Sequence, residues 1–111
     1  MKFITVIFAL FLSNGISAAV GDDVSTASEV IGEIRVDSKG TVYFTPVDGN
    51  WSSSGCPSAV YAYFTPAYEA ADMTYSAALA SKTSKTPIKF RGVCGDTNGN
   101  AQYIQITYMT F

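Results

Sequence analysis

The sequence predicts a small, mainly β domain that contains a single helix. Apolar and polar residues alternate in five short stretches after residue 29, which is the pattern of half-buried strands. One longer stretch, between the third and the fourth of these, instead spaces its apolar residues as a helix does. An apolar leading segment, of the kind that directs export, precedes all of these elements.

The leading segment, residues 1–19, is predicted to be a signal peptide. Lys2 supplies a positive charge, residues 3–12 form a predominantly apolar run, and small residues end the segment at acceptable cleavage positions. The apolar run is about half of the roughly 20 residues that a membrane-spanning helix needs. We therefore expect residues 20–111 to form one exported domain, located in the periplasm or secreted, with no membrane span.

Three strands are predicted before the helix. The first covers residues 30–36 and the second residues 41–47, and the turn 37–40 between them ends in a glycine that can adopt a positive φ. These two strands should form a hairpin. The third strand covers residues 59–65, after a long polar loop, whereas residues 20–28 are small and polar and are expected to be irregular.

The helix is predicted to begin at Pro66, a residue that suits the first helical turn, and to end near Lys85. Acidic residues near its start and lysines near its end match the helix dipole. The stripe expected to pack against the strands consists of Ala70, Met73, Ala77 and Ala80.

Two further strands follow the helix. The fourth begins at residue 88, a polar turn occupies residues 95–100, and the fifth covers residues 102–111. The residues predicted to share one face of the fifth strand are Ile104, Ile106 and Tyr108. Five strands with a helix between strands three and four are the layout of the OB-fold, a partly open barrel. A small β-sandwich or an open sheet with a helix on one side is the alternative.

Cys56 and Cys94 are the only cysteines, and we expect them to form a disulfide because the chain is short and exported. In an OB-fold, the start of strand three and the turn between strands four and five lie at the same end of the barrel. The two cysteines are predicted at those two places. The sequence contains no histidine and no second cysteine pair, so we expect no metal site.

The composition argues against nucleic-acid binding and against catalysis. Without the signal peptide the chain has six basic and nine acidic side chains, and the basic ones are scattered. No histidine is available for acid–base chemistry, and no serine occurs in a nucleophile motif. Glu29 and Glu33 would lie about 13 Å apart along a strand, too far for a glycosidase pair. We therefore expect neither catalytic residues nor a cofactor.

Four aromatic residues are candidates for ligand binding. Tyr61, Tyr63 and Tyr103 should lie on the outer faces of strands three and five, where they would stack on a sugar or pack in a subunit interface. Ordinary cross-strand pairing is the alternative. Trp51 lies in a loop rich in glycine and serine, where it would either contact a ligand or fold back onto the core.

Several segments resemble the B subunits of pertussis-like and subtilase-type toxins. They are residues 28–36 (SEVIGEIRV), the aromatic third strand, the helix MTYSAALASKTSKT and the following PIKFRGVCG. The same segments resemble still more closely a group of small uncharacterised exported bacterial proteins that share the helix and the strand after it. The cysteine positions differ from those of the subtilase-type subunits.

The resemblance implies an OB-fold subunit that assembles into a homo-oligomeric ring of five, associates with a catalytic A subunit and binds sialylated or related cell-surface glycans. In such subunits a hydroxyl residue just before the first long strand contacts the sugar acid. That position aligns with Ala27, which departs from the pattern, and makes its neighbours Thr26 and Ser28 candidate ligand residues. The alternative is a stand-alone periplasmic or envelope-associated protein with a structural or interaction role.

Overall fold

The computed structural model describes residues 20–110, so the predicted signal peptide lies outside the described residues. Within this range, six strands and one helix follow one another: β1 Asp23–Ser25, β2 Ile31–Val36, β3 Val42–Pro46, β4 Tyr61–Phe64, α1 Ala71–Ser84, β5 Lys89–Cys94 and β6 Tyr103–Thr110. No helix in the described part of the chain is long and apolar enough to cross a membrane.

All six strands belong to one open sheet with the order β1-β5-β6-β4-β3-β2. Neighbouring strands are antiparallel except β4 and β6, which pair in parallel with Tyr61 opposite Tyr103. The described part of the chain is therefore mainly β with a single helix, as the sequence predicts. The sheet has six strands rather than five because a short strand precedes the first predicted one.

This additional strand, β1, lies in the segment predicted to be irregular. It pairs antiparallel with β5, and the Arg91 guanidinium binds the Asp23 carboxylate with an Nη2–Oδ2 distance of 2.6 Å. Only Val24 of its three residues is buried. One buried residue between two polar ones gives too short an alternation to be recognised as a strand.

The segment between β1 and β2 contacts both β5 and β3. Glu29 and Ile88 exchange two backbone hydrogen bonds of 2.8 and 2.9 Å. The next residue, Val30, accepts a backbone hydrogen bond of 3.0 Å from Val47, just after the end of β3. One stretch of chain therefore joins two strands that are far apart in the order of the sheet.

The predicted hairpin of β2 and β3 is confirmed. Asp37 holds its turn, since Oδ1 accepts hydrogen bonds from the backbone N–H groups of Lys39 at 2.9 Å and Thr41 at 3.0 Å. Gly40 has a φ of 83°, the left-handed conformation that glycine adopts without strain. An aspartate at the start of the turn and a glycine at its end thus fix the register of this strand pair.

A bulge interrupts the pairing of β5 and β6. Gly92 lies opposite Ile106, but the residue before Gly92 lies opposite Tyr108. The extra residue, Thr107, reverses the alternation, so Tyr108 is exposed and Met109 packs against the core. The prediction that Tyr108 shares the inner face with Ile106 is wrong for this reason. A side chain at Gly92 would overlap a carbonyl oxygen of β6, so this close approach requires glycine.

The core is built around aromatic rings. Phe44 and Phe90 stack with ring centroids 5.5 Å apart, and Trp51 meets Phe90 edge to face at 5.0 Å. Aliphatic side chains from the strands and their flanks complete this cluster: Ile31, Val42, Ile88 and Ile106.

Helix α1 packs a face of small residues on this core. Its buried residues are Thr74, Ala78 and Ser81, whereas Met73 is 78% exposed and Leu79 45%. The predicted inner stripe that included Met73 is therefore wrong. Because aromatic rings already fill the space beneath the helix, only small side chains allow it to approach the sheet.

The helix begins at Ala71, later than predicted, and residues 66–70 form turns instead. The Tyr68 hydroxyl donates a hydrogen bond of 2.9 Å to the Thr107 carbonyl oxygen, which ties these turns to β6. At the other end, Lys85 adopts a left-handed conformation with a φ of 59° and ends the helix, close to the predicted position.

The predicted disulfide between Cys56 and Cys94 is confirmed, with a Cα–Cα distance of 5.7 Å and a sequence separation of 38. It joins the loop before β4 to the end of β5. The buried side chains of Val24, Ala59 and Ile104 surround it in a second, smaller apolar cluster. A disulfide is typical of proteins in a non-reducing compartment.

Candidate functional site

Four tyrosines cluster on the outer face of the sheet. Strand alternation places them there: Val42, Phe44 and Ala62 point into the core, so the residues between and beside them point outward. We call this cluster the tyrosine face and define it as Tyr43, Tyr61, Tyr63 and Tyr103. The structure thus brings together the three predicted candidate tyrosines and adds Tyr43.

The four rings form one continuous aromatic surface. Tyr61 and Tyr103 stack with centroids 5.0 Å apart and an interplanar angle of 23°. Tyr43 stands edge-on to both at 6.1 Å. Tyr63 stacks on Tyr43 at 5.9 Å and meets Tyr103 edge-on at 5.8 Å. Each ring therefore contacts at least two others, in the geometries that aromatic pairs prefer.

The four rings differ in exposure. Tyr63 is only 5% exposed and lies beneath the surface of the cluster, while Tyr43, Tyr61 and Tyr103 are half-buried. Neither the Tyr63 nor the Tyr103 hydroxyl forms a hydrogen bond with another group of residues 20–110. Tyr63 therefore supports the cluster, and the other three rings present the surface that a ligand would meet.

Two hollows border the tyrosine face. The first has a volume of about 250 Å³ and the second about 310 Å³. Both are lined by Tyr43, Tyr103 and Asp37, so these residues form the ridge between them. Arg35 belongs to the first hollow, and Asp96 to the second. Adjacent hollows with aromatic walls and a few polar groups are typical of small-molecule binding sites.

Asp37 is the carboxylate closest to the rings. Its Oδ2 accepts a hydrogen bond of 3.1 Å from the Tyr43 hydroxyl, in addition to the two backbone bonds to Oδ1. Partial desolvation raises the pKa of Asp37, but the three hydrogen bonds together outweigh it, so the pKa is lowered. The pKa of Tyr43 is raised, first by burial and then by its bond to Asp37. Asp37 is therefore a fixed negative charge at the ridge.

Asp96 supplies a second carboxylate from the loop between β5 and β6. Its Oδ1 accepts backbone hydrogen bonds of 2.9 Å from Asn98 and from Asn100. The pKa of Tyr63 is raised, first by burial and then by the negative charge of Asp96. Asp96 therefore acts electrostatically on the tyrosine face.

Residues 20–110 contain no group of three or more potential metal-binding side chains.

Arg35 places a cation beside the tyrosine face. Its guanidinium carbon lies 5.9 Å from the centroid of the Tyr61 ring, a distance that allows a cation–π interaction. Its Nε also binds Glu33 Oε1 at 3.0 Å, and the pKa of Arg35 is raised, mainly by this hydrogen bond. Much of the positive charge of Arg35 is therefore already balanced by Glu33.

Trp51 does not belong to this site. It is 0% exposed, and its indole N–H donates a hydrogen bond of 3.1 Å to the Phe44 carbonyl oxygen inside the core. Backbone bonds to Ala27 and Ala59 hold the loop around it. The proposal of Trp51 as a ligand residue is corrected: a loop tryptophan becomes a core residue when its indole N–H finds a buried acceptor.

Thr26 and Ser28 lie apart from the tyrosine face and in different environments. Thr26 is buried, and its hydroxyl accepts a hydrogen bond of 2.9 Å from the Phe90 N–H and donates one of 2.8 Å to the Ala27 carbonyl oxygen. Because the hydroxyl is used within the fold, Thr26 is a structural residue. Ser28 is exposed and remains accessible to a ligand.

Ser28 lines a further cavity, which has a volume of about 590 Å³. Lys82 and Lys85, near the end of α1, contribute to its wall together with Glu29 and Asp48. Two positive and two negative side chains leave this cavity with no net charge and no aromatic surface. It carries fewer features of a binding site than the tyrosine face does.

Sequence reasoning identified three of the four tyrosines but missed Tyr43 and both carboxylates. The signal that could have found Tyr43 is the alternation of its strand, in which apolar Val42 and Phe44 flank it, and the structure places it opposite Tyr63. The approach of Asp37 and Asp96 depends on how two loops fold over the sheet, which alternation does not predict.

No family model, curated protein or solved structure matches this chain.

Proposed function

We propose that the protein is an exported, non-catalytic module that binds glycans through the tyrosine face. The observation that carries this proposal is the cluster of four tyrosine rings on the outer side of the sheet, three of which present an aromatic surface. Two of its contacts, Tyr43–Tyr63 and Tyr61–Tyr103, are direct cross-strand pairs, and the edge-on contacts of Tyr43 and Tyr63 join these pairs into one cluster. Hydrogen-bonding groups surround it, so it combines an apolar surface with polar recognition groups.

A sugar has the properties that this surface complements. The C–H groups on one side of a pyranose ring pack on an aromatic ring, while its hydroxyls require donors and acceptors around the edge. Tyr103 offers a hydroxyl, Gln105 an amide and Asp96 a carboxylate beside the rings. Because two hollows share one ridge, the ligand would be a disaccharide or a longer chain.

The strand pairings support an OB-fold-like barrel as the scaffold of this module. Strands β4 and β6 are parallel, as strands three and five of an OB-fold are, and the helix lies between β4 and β5. The hydrogen bonds between Glu29 and Ile88 join the segment before β2 to the segment before β5. In this interpretation, residues 23–36 are one bent first strand that pairs with β5 at one end and with β3 at the other.

Export and the lack of catalysis are parts of the same proposal. The Cys56–Cys94 disulfide and the pattern of residues 1–19 both support export to the periplasm or beyond. The chain contains no histidine, and both cysteines are bridged, which leaves no evident nucleophile and base.

Tyr61→Ala tests the proposed site. We expect the oxidised wild-type protein to bind members of a glycan array, and Tyr61→Ala to weaken binding about tenfold or more, because a stacked tyrosine is a typical hot spot. The matched control is Tyr75→Ala, an exposed tyrosine on α1 that is not a lining residue of either hollow. Equal loss in both variants, or no loss in either, would remove the tyrosine face as the site.

The outer side of α1 favours a second function, that of an interaction module. Met73, Tyr75 and Leu79 are all exposed on this helix, with Tyr75 and Leu79 one turn apart. Where exposed apolar side chains adjoin one another, they are typical of surfaces that other proteins cover. Such a surface suits either the homopentamer with a catalytic subunit implied by the toxin resemblance or a stand-alone envelope protein that binds a partner.

Light scattering after size exclusion distinguishes these two forms. If the toxin-like assembly is right, the oxidised protein should have the mass of five chains, and Met73→Ser combined with Leu79→Ser should reduce it to one. These substitutions are at exposed positions and should change the free energy of unfolding by less than about 0.5 kcal/mol each. A wild-type mass of one chain would instead favour the stand-alone protein.

A further inference from the structure

Charged side chains lie beside the tyrosine face. Four of them line the two hollows, namely Arg35, Asp37, Lys39 and Asp96, and a fifth, Glu33, binds Arg35. Arg35 is paired with Glu33, so these two nearly cancel. Two carboxylates and a single lysine remain, which gives the face a net negative charge.

The two carboxylates are also more rigidly held than the lysine. Asp37 is fixed by three hydrogen bonds and Asp96 by two. The ammonium group of Lys39 forms no salt bridge with any residue of the range 20–110, and a long exposed side chain of this kind loses conformational entropy when it is held in one place. The negative charges are therefore preorganised and the positive charge is not.

We propose that the tyrosine face binds uncharged saccharides and discriminates against sialylated ones, with Asp37 and Asp96 as the residues that determine this specificity. The inference rests on the proposed function, since it describes the ligand of the same site. A sialic acid carries a carboxylate, and a like charge placed beside the ridge is repelled. A neutral sugar of the same length meets no such penalty and can donate its hydroxyl protons to the two aspartates.

The pKa of Tyr63 is raised first by burial and then by the negative charge of Asp96, and the second contribution shows that Asp96 disfavours a further negative charge on the tyrosine face. The ligand carboxylate would experience the same potential. The repulsion is also expected to depend on ionic strength, because the face is open to solvent and salt screens charges over about 10 Å at 0.1 M.

A glycan array that carries each sialylated glycan beside its neutral parent tests the inference. We expect the neutral parent to bind about tenfold more tightly than its sialylated partner, with the binding lost in Tyr61→Ala. Calorimetry on the best pair should show that Asp37→Asn and Asp96→Asn each reduce this preference severalfold. Asp72→Asn, an equal change of charge at an exposed position of α1, is the matched control and should leave the preference unchanged.

Asp37→Asn keeps the side-chain oxygen that accepts the backbone hydrogen bonds of the turn. If Asp37→Asn nevertheless fails to fold, Asp96→Asn tests the same charge effect in a different loop. Raising NaCl to about 1 M should also reduce the preference of the wild-type protein, as screening requires.

The possible outcomes distinguish failure of the charge inference from failure of the proposed glycan-binding function. Equal or tighter binding of the sialylated partner, lost in Tyr61→Ala, would overturn the charge inference and leave the glycan-binding function intact. A preference for neutral glycans that neither Asp37→Asn nor Asp96→Asn alters would also overturn the assignment of these residues. Binding of no glycan on the array would overturn the proposed function and the inference together.

Discussion

Replacing Trp51 with alanine is expected to lower the free energy of unfolding by about 3–5 kcal/mol, the usual effect of removing a large aromatic side chain from a core. Trp51 is fully buried, contacts the Phe90 ring at 5.0 Å and bonds the Phe44 carbonyl oxygen through its indole N–H. Small domains have a total stability of about 5–15 kcal/mol, so the variant should be close to unfolding. Urea denaturation followed by circular dichroism measures the loss.

Trp51→Phe is the control for this prediction. It keeps an aromatic ring in the core but removes the indole N–H, so it should lose clearly less stability than Trp51→Ala and leave the Phe44 carbonyl oxygen without this donor. A Trp51→Ala variant with wild-type stability but no glycan binding would contradict the assignment of Trp51 to the core. It would return Trp51 to the binding site.

Removing the disulfide should have the second-largest effect. Cys56→Ala combined with Cys94→Ala is expected to lower the free energy of unfolding by about 3–4 kcal/mol, because the bridge closes a loop of 38 residues that restricts the unfolded chain. The bridge also lies in the smaller apolar cluster, which contains Val24 of β1. Fluorescence of Trp51 during urea denaturation follows this unfolding.

Reduced wild-type protein is the control for the double variant. It removes the same covalent constraint without removing the sulfur atoms, so both samples should show similar losses of stability. A loss below about 1 kcal/mol in both would show that the bridge contributes little, and that the apolar cluster holds β1 and β5 together without it.

The parts of the fold that the sequence predicted are those governed by local patterns. The turn at Asp37 has a side chain that caps it and a glycine that completes it, so its hairpin was evident. The helix end near Lys85 and the pairing of Cys56 with Cys94 were likewise predictable from spacing and residue type.

The parts that were wrong depend on contacts between distant segments. β1 has a single buried residue and is defined by pairing with β5, which the sequence does not reveal locally. The bulge at Thr107 reverses the alternation of β6 because of a close approach to Gly92. The prediction of the inner face of α1 was wrong because the few large side chains of the helix do not define a single stripe. The core has room only for small side chains beneath the helix.

The candidate site, like the fold, was predictable only where local sequence patterns determine it. Alternation placed Tyr61, Tyr63 and Tyr103 on the outer side of the sheet, and the parallel pairing of β4 with β6 brings Tyr61 next to Tyr103. The position of the loop residue Trp51 was left open because nothing in its neighbours indicates whether a loop covers the core or extends from it. Its burial becomes understandable only with the Phe44 carbonyl oxygen as the acceptor.

The most direct test of glycan binding by the tyrosine face is an NMR titration of the ¹⁵N-labelled, oxidised protein with the neutral glycan that binds best on the array. We predict that the amide signals of Asp37, Tyr43, Tyr61 and Tyr103 shift most, in proportion to occupancy. Shifts confined to Ser28, Lys82 and the other residues of the 590 Å³ cavity would contradict glycan binding by the tyrosine face and move the site to that cavity.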